Sequence, residues 1–107
     1  MTKRVRLSIN FMPCDQVIDI LVSIKANLKS LGVHSLAVFG SAARDEATTD
    51  SDIDILIDLE PPITFDRYMD IKFYLEEQLG SRVDLVTWKT LKPQIRESVK
   101  KELIYVM

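Results

Sequence analysis

Asp52 and Asp54 stand two residues apart in VFGSAARDEATTDSDIDILIDL, residues Val38–Leu59, within a run rich in isoleucine. Alternation along a strand puts Asp52, Asp54, Leu56 and Asp58 on one face and Ile53, Ile55, Ile57 and Leu59 on the other. The two carboxylates then leave one surface about 7 Å apart along the chain. Carboxylates without partners are costly beside buried apolar surface, so these two call for a compensating group. Hard divalent cations such as Mg²⁺ take oxygen ligands and complete their shells with phosphate and water. A third acid, Asp84, lies in RVDLV between Val83 and Leu85. If that strand lies beside the first, three carboxylates meet on one face. Two cations about 3.5–4 Å apart would then form the usual clamp for in-line displacement at phosphorus. Asp84 would serve either as a metal ligand or as general base toward an incoming hydroxyl.

Gly40-Ser41 supplies a second half. A glycine at a strand-to-helix turn lets backbone approach a ligand closely. The N–H groups of the following turn favour phosphate, and Ser41 adds a hydroxyl donor. Arg44, three residues on, either pairs with phosphate oxygens or only with Asp45 or Glu46.

These groups need a scaffold. VRLSINF, Val5–Phe11, reads as a short edge strand. Pro13 can open a helix whose stripe is Val17, Ile20, Leu21, Ile24, Leu28 and Leu31, with Gly32 as its stop. HSLAVFG reads as a strand running into Gly40-Ser41, SAARDEA as a short helix or turn, and DIDILIDL as a second strand ended by Pro61-Pro62. Thr64 caps a helix with apolar residues Phe65, Tyr68, Ile71, Leu75 and Leu79, closed by Gly80. RVDLVTW is a third strand. A last helix starts near Thr90 with Pro93 in its first turn, and LIYVM is either a frayed end or a short strand. The pattern predicts an α+β (α/β) fold: a small mixed β-sheet with helices packed on one side, in a single domain over residues 1–107.

The string GS, ten residues, then DID resembles the signature of the DNA polymerase β-like nucleotidyltransferases. The fuller GSAARDEATTDSDIDILIDL, with the separate RVDLV, resembles the minimal nucleotidyltransferase group. Asp45 departs from it, since many members have glycine after the arginine. The resemblance implies the polymerase β-like nucleotidyltransferase fold. It also implies that Gly40 and Ser41 hold a triphosphate, with Arg44 and Ser51 in the same nucleotide-binding string. Asp52 and Asp54 would bind Mg²⁺, as two ions, and Asp84 would complete the catalytic, metal-holding triad. The implied reaction moves a nucleoside monophosphate from an NTP to a hydroxyl and releases pyrophosphate. Members of the group serve as antitoxins that neutralise a HEPN-domain ribonuclease toxin, in some systems by attaching AMP to a toxin tyrosine. The expectation is therefore a protein adenylyltransferase using Mg-ATP, with a HEPN-domain toxin as partner in a hetero-oligomer. The alternatives are a module that blocks a toxin by contact alone and a nucleotidyltransferase acting on a small-molecule hydroxyl.

Composition narrows the field. The chain has 107 residues, 47% hydrophobic and 28% charged, an ordinary globular balance. Its net charge of −2 lacks the basic excess of phosphate-gripping proteins, so direct nucleic-acid binding is not expected. Lys3, Arg4 and Arg6 read as a solvated edge, as does the stripe of Lys89, Lys92, Arg96 and Lys100, diluted by Glu97 and Glu102. Cys14 alone forms neither an internal disulfide nor a metal cluster. The N-terminus lacks a secretory apolar region, and no run reaches the ~20 residues of a membrane span, so cytoplasm is the default location. Only 23 residues follow Asp84, which leaves no room there for a substrate domain and places the acceptor on another protein or between chains.

Overall fold

The computed structural model describes residues 12–48 and 50–107. The edge strand expected over Val5–Phe11 lies outside them. In chain order the elements are α1 (Cys14–Ser23), α2 (Lys25–Ser30), β1 (Val33–Phe39), α3 (Gly40–Ala43), β2 (Ile53–Leu59), α4 (Phe65–Leu79), β3 (Val83–Val86), α5 (Pro93–Glu102) and β4 (Ile104–Tyr105). The sheet order is β3-β2-β1-β4. β1 runs antiparallel to β2 and β4, while β2 and β3 are parallel, so the sheet is mixed. Parallel neighbours need a long crossover, and α4 supplies it.

Local chemistry sets the boundaries. Thr64 caps α4 by accepting the Arg67 N–H at 3.2 Å, and Gly80 ends it in the left-handed region at φ +69°. Pro93 sits at the start of α5, where its missing N–H costs little. The first stripe, read as one helix, is two. Ile24 lies between them at φ −110° and ψ 13°. The Ser23 hydroxyl donates to the Ile20 carbonyl at 2.6 Å, and such back-bonding bends helices. Both halves still face the core through Val17, Leu21 and Leu28. LIYVM resolves as a short strand, with Val38 opposite Ile104 and Ala37 opposite Tyr105.

The helices pack on both faces of the sheet, not on one side. Ile53, Ile55, Ile57 and Leu59 of β2 join residues of α1, α2 and α4 in the main core. On the opposite face Phe39, Leu56, Leu91 and Val99 form a second cluster, backed by Val86, Trp88 and Leu103. The reason is visible in β2 itself: Leu56 shares the aspartate face and needs cover, and α5 provides it. Among the described residues no helix is long and apolar enough to cross a membrane.

Candidate active site

β1 ends at Phe39, which stands opposite Asp54 of β2. On the other side of β2, Asp54 stands opposite Asp84 of β3 in the parallel register. Backbone pairing alone therefore sets the Gly40 corner, Asp54 and Asp84 in a row across three strands. Gly40 turns the chain at φ +71°, and a Cβ there would lie 2.1 Å from Asp54 Oδ2 and 3.0 Å from its Cγ. Glycine is required on both counts, conformation and space.

Asp54 is half-buried, and its carboxyl is pushed up to about 6. Burial is the largest cause. The Asp84 charge, a hydrogen bond with Asp84 and the Asp52 charge follow, with Arg44 acting the other way. Asp84 is exposed, on the strand at one end of the sheet. Below it the Tyr68 hydroxyl donates to the Leu85 carbonyl, and its own ionisation is pushed up by burial and then by the Asp84 charge. A half-buried carboxyl pushed up by an acid on the neighbouring strand is the kind of perturbed group that functional sites hold.

Asp52 is differently engaged. Its Oδ1 lies 3.0 Å from Arg82 Nε, and Arg82 Nη2 donates to the Asp50 carbonyl at 3.1 Å. Arg82, the residue that opens RVDLV, is the counter-charge that sequence reasoning missed. Among the described residues no three His, Cys, Asp or Glu side chains are grouped closely enough to hold a metal ion as arranged. The donor set is nonetheless all oxygen, and Asp54 is a carboxyl whose ionised form is disfavoured by its surroundings. Both features suit a hard divalent cation.

Arg44 sits between two carboxylates: its Nε lies 3.1 Å from Glu46 Oε1 and its Nη1 2.6 Å from Glu102 Oε2. Those bonds, Glu46 first, hold its guanidinium protonated more firmly. The Gly40 N–H donates to the other oxygen of Glu102, Oε1, at 3.2 Å. Glu102 was absent from the expected site, yet it carried a signal. It is an acid in the last turn of α5, where the helix dipole disfavours one, so it needs a compensating partner. Ser41 is half-buried in α3, its carbonyl accepting the Glu46 N–H at 2.8 Å. Ser51 is spent on its own turn: its Oγ accepts the Thr48 N–H and its N–H donates to the Thr48 carbonyl. Asp45, where the group commonly has glycine, adopts φ +63°. Its Oδ1 accepts the Cys14 N–H at 2.7 Å, at the start of α1.

A mixed sheet that aligns a glycine corner with two acids on neighbouring strands defines a nucleotidyltransferase fold. The model of the nucleotidyltransferase domain matches residues 18–106, and the chain belongs to that family as a nucleotidyltransferase enzyme of the minimal type. It is 41% identical to the protein adenylyltransferase MntA of Thermococcus cleftensis over 93 residues, which is 86% of this chain and 94% of that one. A solved candidate minimal nucleotidyltransferase superposes with a TM-score of 0.75 at 35% identity, covering 87% of this chain and 95% of the other. The MNT antitoxin solved in complex with a tri-AMPylated HEPN toxin of Shewanella oneidensis shares the fold. Its TM-score is 0.61 at 18% identity, over 88% of this chain and 71% of the other.

Proposed function

We propose that the chain transfers AMP from Mg-ATP to a hydroxyl, a tyrosine by preference, of a HEPN-domain toxin and so neutralises it. The observation that carries this reading is the Asp54–Asp84 pair set against the Gly40 corner, in a chain that matches a protein adenylyltransferase over nearly that protein's whole length. The HEPN partner is what the family resemblance implies, and it accompanies one fold neighbour. The reading takes residues 1–107 as one catalytic domain and cytoplasm as its location.

In this reaction the acceptor oxygen forms a bond to the α-phosphorus while the bond to pyrophosphate breaks in line. The hydroxyl proton passes to the carboxylate of Asp84, beside Asp54. The Asp54 carboxyl, pushed up to about 6 by burial and its acidic neighbours, would be held ionised by a bound cation and would leave the proton to Asp84. Ser41 contributes its hydroxyl to the triphosphate. Asp52, Asp54 and Asp84 would hold the divalent cations, with Asp52 released from Arg82. When bound, those cations supply charge neutralisation on the phosphate oxygens.

The test is incubation of the protein with each NTP, Mg²⁺ and a HEPN toxin, read by intact mass. Addition of AMP to the toxin, abolished by Asp54→Asn, supports the proposal. A toxin held tightly and never modified would establish the contact-only antitoxin instead. Transfer confined to small hydroxyl compounds would establish the third reading.

A further inference from the structure

Glu102 is the one acid that links α5 to the glycine corner, and it does so with both oxygens. Oε1 takes the Gly40 N–H at 3.2 Å, and Oε2 takes Arg44 Nη1 at 2.6 Å. These bonds span 62 and 58 residues of sequence, so they are tertiary ties and not turn chemistry. We propose that Glu102 is a positioning residue for nucleotide binding, a role that rests on the nucleotidyltransferase reading above. Its carboxylate fixes the segment between Gly40 and Arg44 at both ends, and Ser41 lies between them.

Three observations lead there. First, a Cβ on Gly40 would lie 2.1 Å from Asp54 Oδ2, so there is no room for a side chain between this peptide and the Asp54 carboxylate. A rotation of that peptide would change both the Asp54 contact and the direction of Ser41. Second, a carboxylate accepting from a backbone N–H and a guanidinium forms two charge-assisted bonds, stronger and more directional than neutral ones. Third, Glu102 sits where the dipole of α5 opposes it, and nothing in the helix favours an acid there. The stabilising partners are the two loop donors. The Gly40 N–H is therefore taken by Glu102, and Arg44, read as pairing either with phosphate or only with Asp45 or Glu46, has its Nε and Nη1 on Glu46 and Glu102. What they hold in place is Ser41.

The experiment uses glycine-selective ¹⁵N labelling of the full chain. With three glycines in the sequence, Gly32, Gly40 and Gly80, the amide spectrum holds three assignable resonances. Glu102→Ala should move the Gly40 resonance upfield and leave the other two in place. Glu102→Gln, which keeps an acceptor oxygen, should move it less. Affinity for a non-hydrolysable ATP analogue with Mg²⁺, measured by calorimetry, should fall about tenfold or more in Glu102→Ala, as expected for losing a charge-assisted bond. Partial recovery is expected in Glu102→Gln. A structural role alone would lower the melting temperature and leave the affinity of the folded fraction unchanged, and that result overturns the proposal. Tighter nucleotide binding by Glu102→Ala also overturns it, because Glu102 would then be a competitor for the phosphate. Failure of the wild-type chain to bind any nucleotide would refute the nucleotidyltransferase reading instead. In that case an unmoved Gly40 resonance in Glu102→Ala would refute the positional tie, and a moved one would uphold it.

Discussion

Replacing Asp54 by asparagine should abolish transfer and at the same time stabilise the protein. The carboxyl rises from 3.8 to about 6 on folding, through burial and the nearby charges of Asp84 and Asp52. At about 1.4 kcal/mol per unit the rise corresponds to roughly 3 kcal/mol between the charged and neutral forms. Asp54 is only half-buried, so solvent screening reduces the usable figure to about 1 kcal/mol. Asparagine keeps the shape, carries no charge and can donate to Asp84. For a chain of this size about 1 kcal/mol corresponds to a melting shift of about 4–6 °C.

The pH dependence gives this prediction its edge. The folded state holds the Asp54 proton more tightly than the unfolded state does. Wild-type stability therefore drops as pH climbs from near 4 to about 6, and the deficit is complete above 6. Below 4 the carboxyl is protonated in both states, and no deficit exists. Thermal unfolding of wild type and Asp54→Asn should thus coincide near pH 4 and separate by several degrees at pH 8, with the variant higher. Mg²⁺ at pH 8 should raise the wild type and leave the variant nearly unmoved. A variant less stable than wild type at pH 8, or a gain of equal size at pH 4, refutes the electrostatic account of the site.

Four further outcomes are expected. Gly40→Ala should cost at least 2 kcal/mol in chemical denaturation and remove transfer, since its Cβ would collide with the Asp54 carboxylate at 2.1 Å and its φ is +71°. Ser41→Ala should weaken ATP binding several-fold by calorimetry without altering the fold; an unchanged affinity removes Ser41 from the site. Asp45→Ala should lose about 1–2 kcal/mol, because it forfeits the bond to the Cys14 N–H and leaves an alanine at φ +63°; Asp45→Gly should come out near neutral, losing the bond and shedding the strain. Arg82→Gln should shift the Mn²⁺ titration, followed by electron paramagnetic resonance, to lower metal concentration by freeing Asp52.

How far the sequence announced this can be argued residue by residue. The acids were legible because an aspartate flanked by isoleucines is a local conflict, and so is one between Val83 and Leu85. Neither conflict is explained by secondary structure alone. The pairing of Asp54 with Asp84 needed only that two predicted strands be neighbours. The second face of the sheet was harder to foresee. Leu56 was correctly placed among the aspartates, but one leucine on an acidic face does not reveal that α5 will come back to cover it. Glu102 and Arg82 were harder still, since each is an ordinary charged residue until folding brings its partner from across the chain. The break at Ile24 was hidden because the apolar stripe runs straight through it, while the backbone there swings to φ −110° and the Ser23 hydroxyl bonds the Ile20 carbonyl.

Those unforeseen contacts share a physical logic. On one face β2 is buried throughout, by Ile53, Ile55, Ile57 and Leu59 in the main core. On the other face only Leu56 is buried, packed with Phe39 and Val99, between half-buried Asp54 and exposed Asp58. The strand therefore carries its acids where cover is incomplete, and Asp54 lies at the end that meets the Gly40 corner, to which Glu102 also bonds.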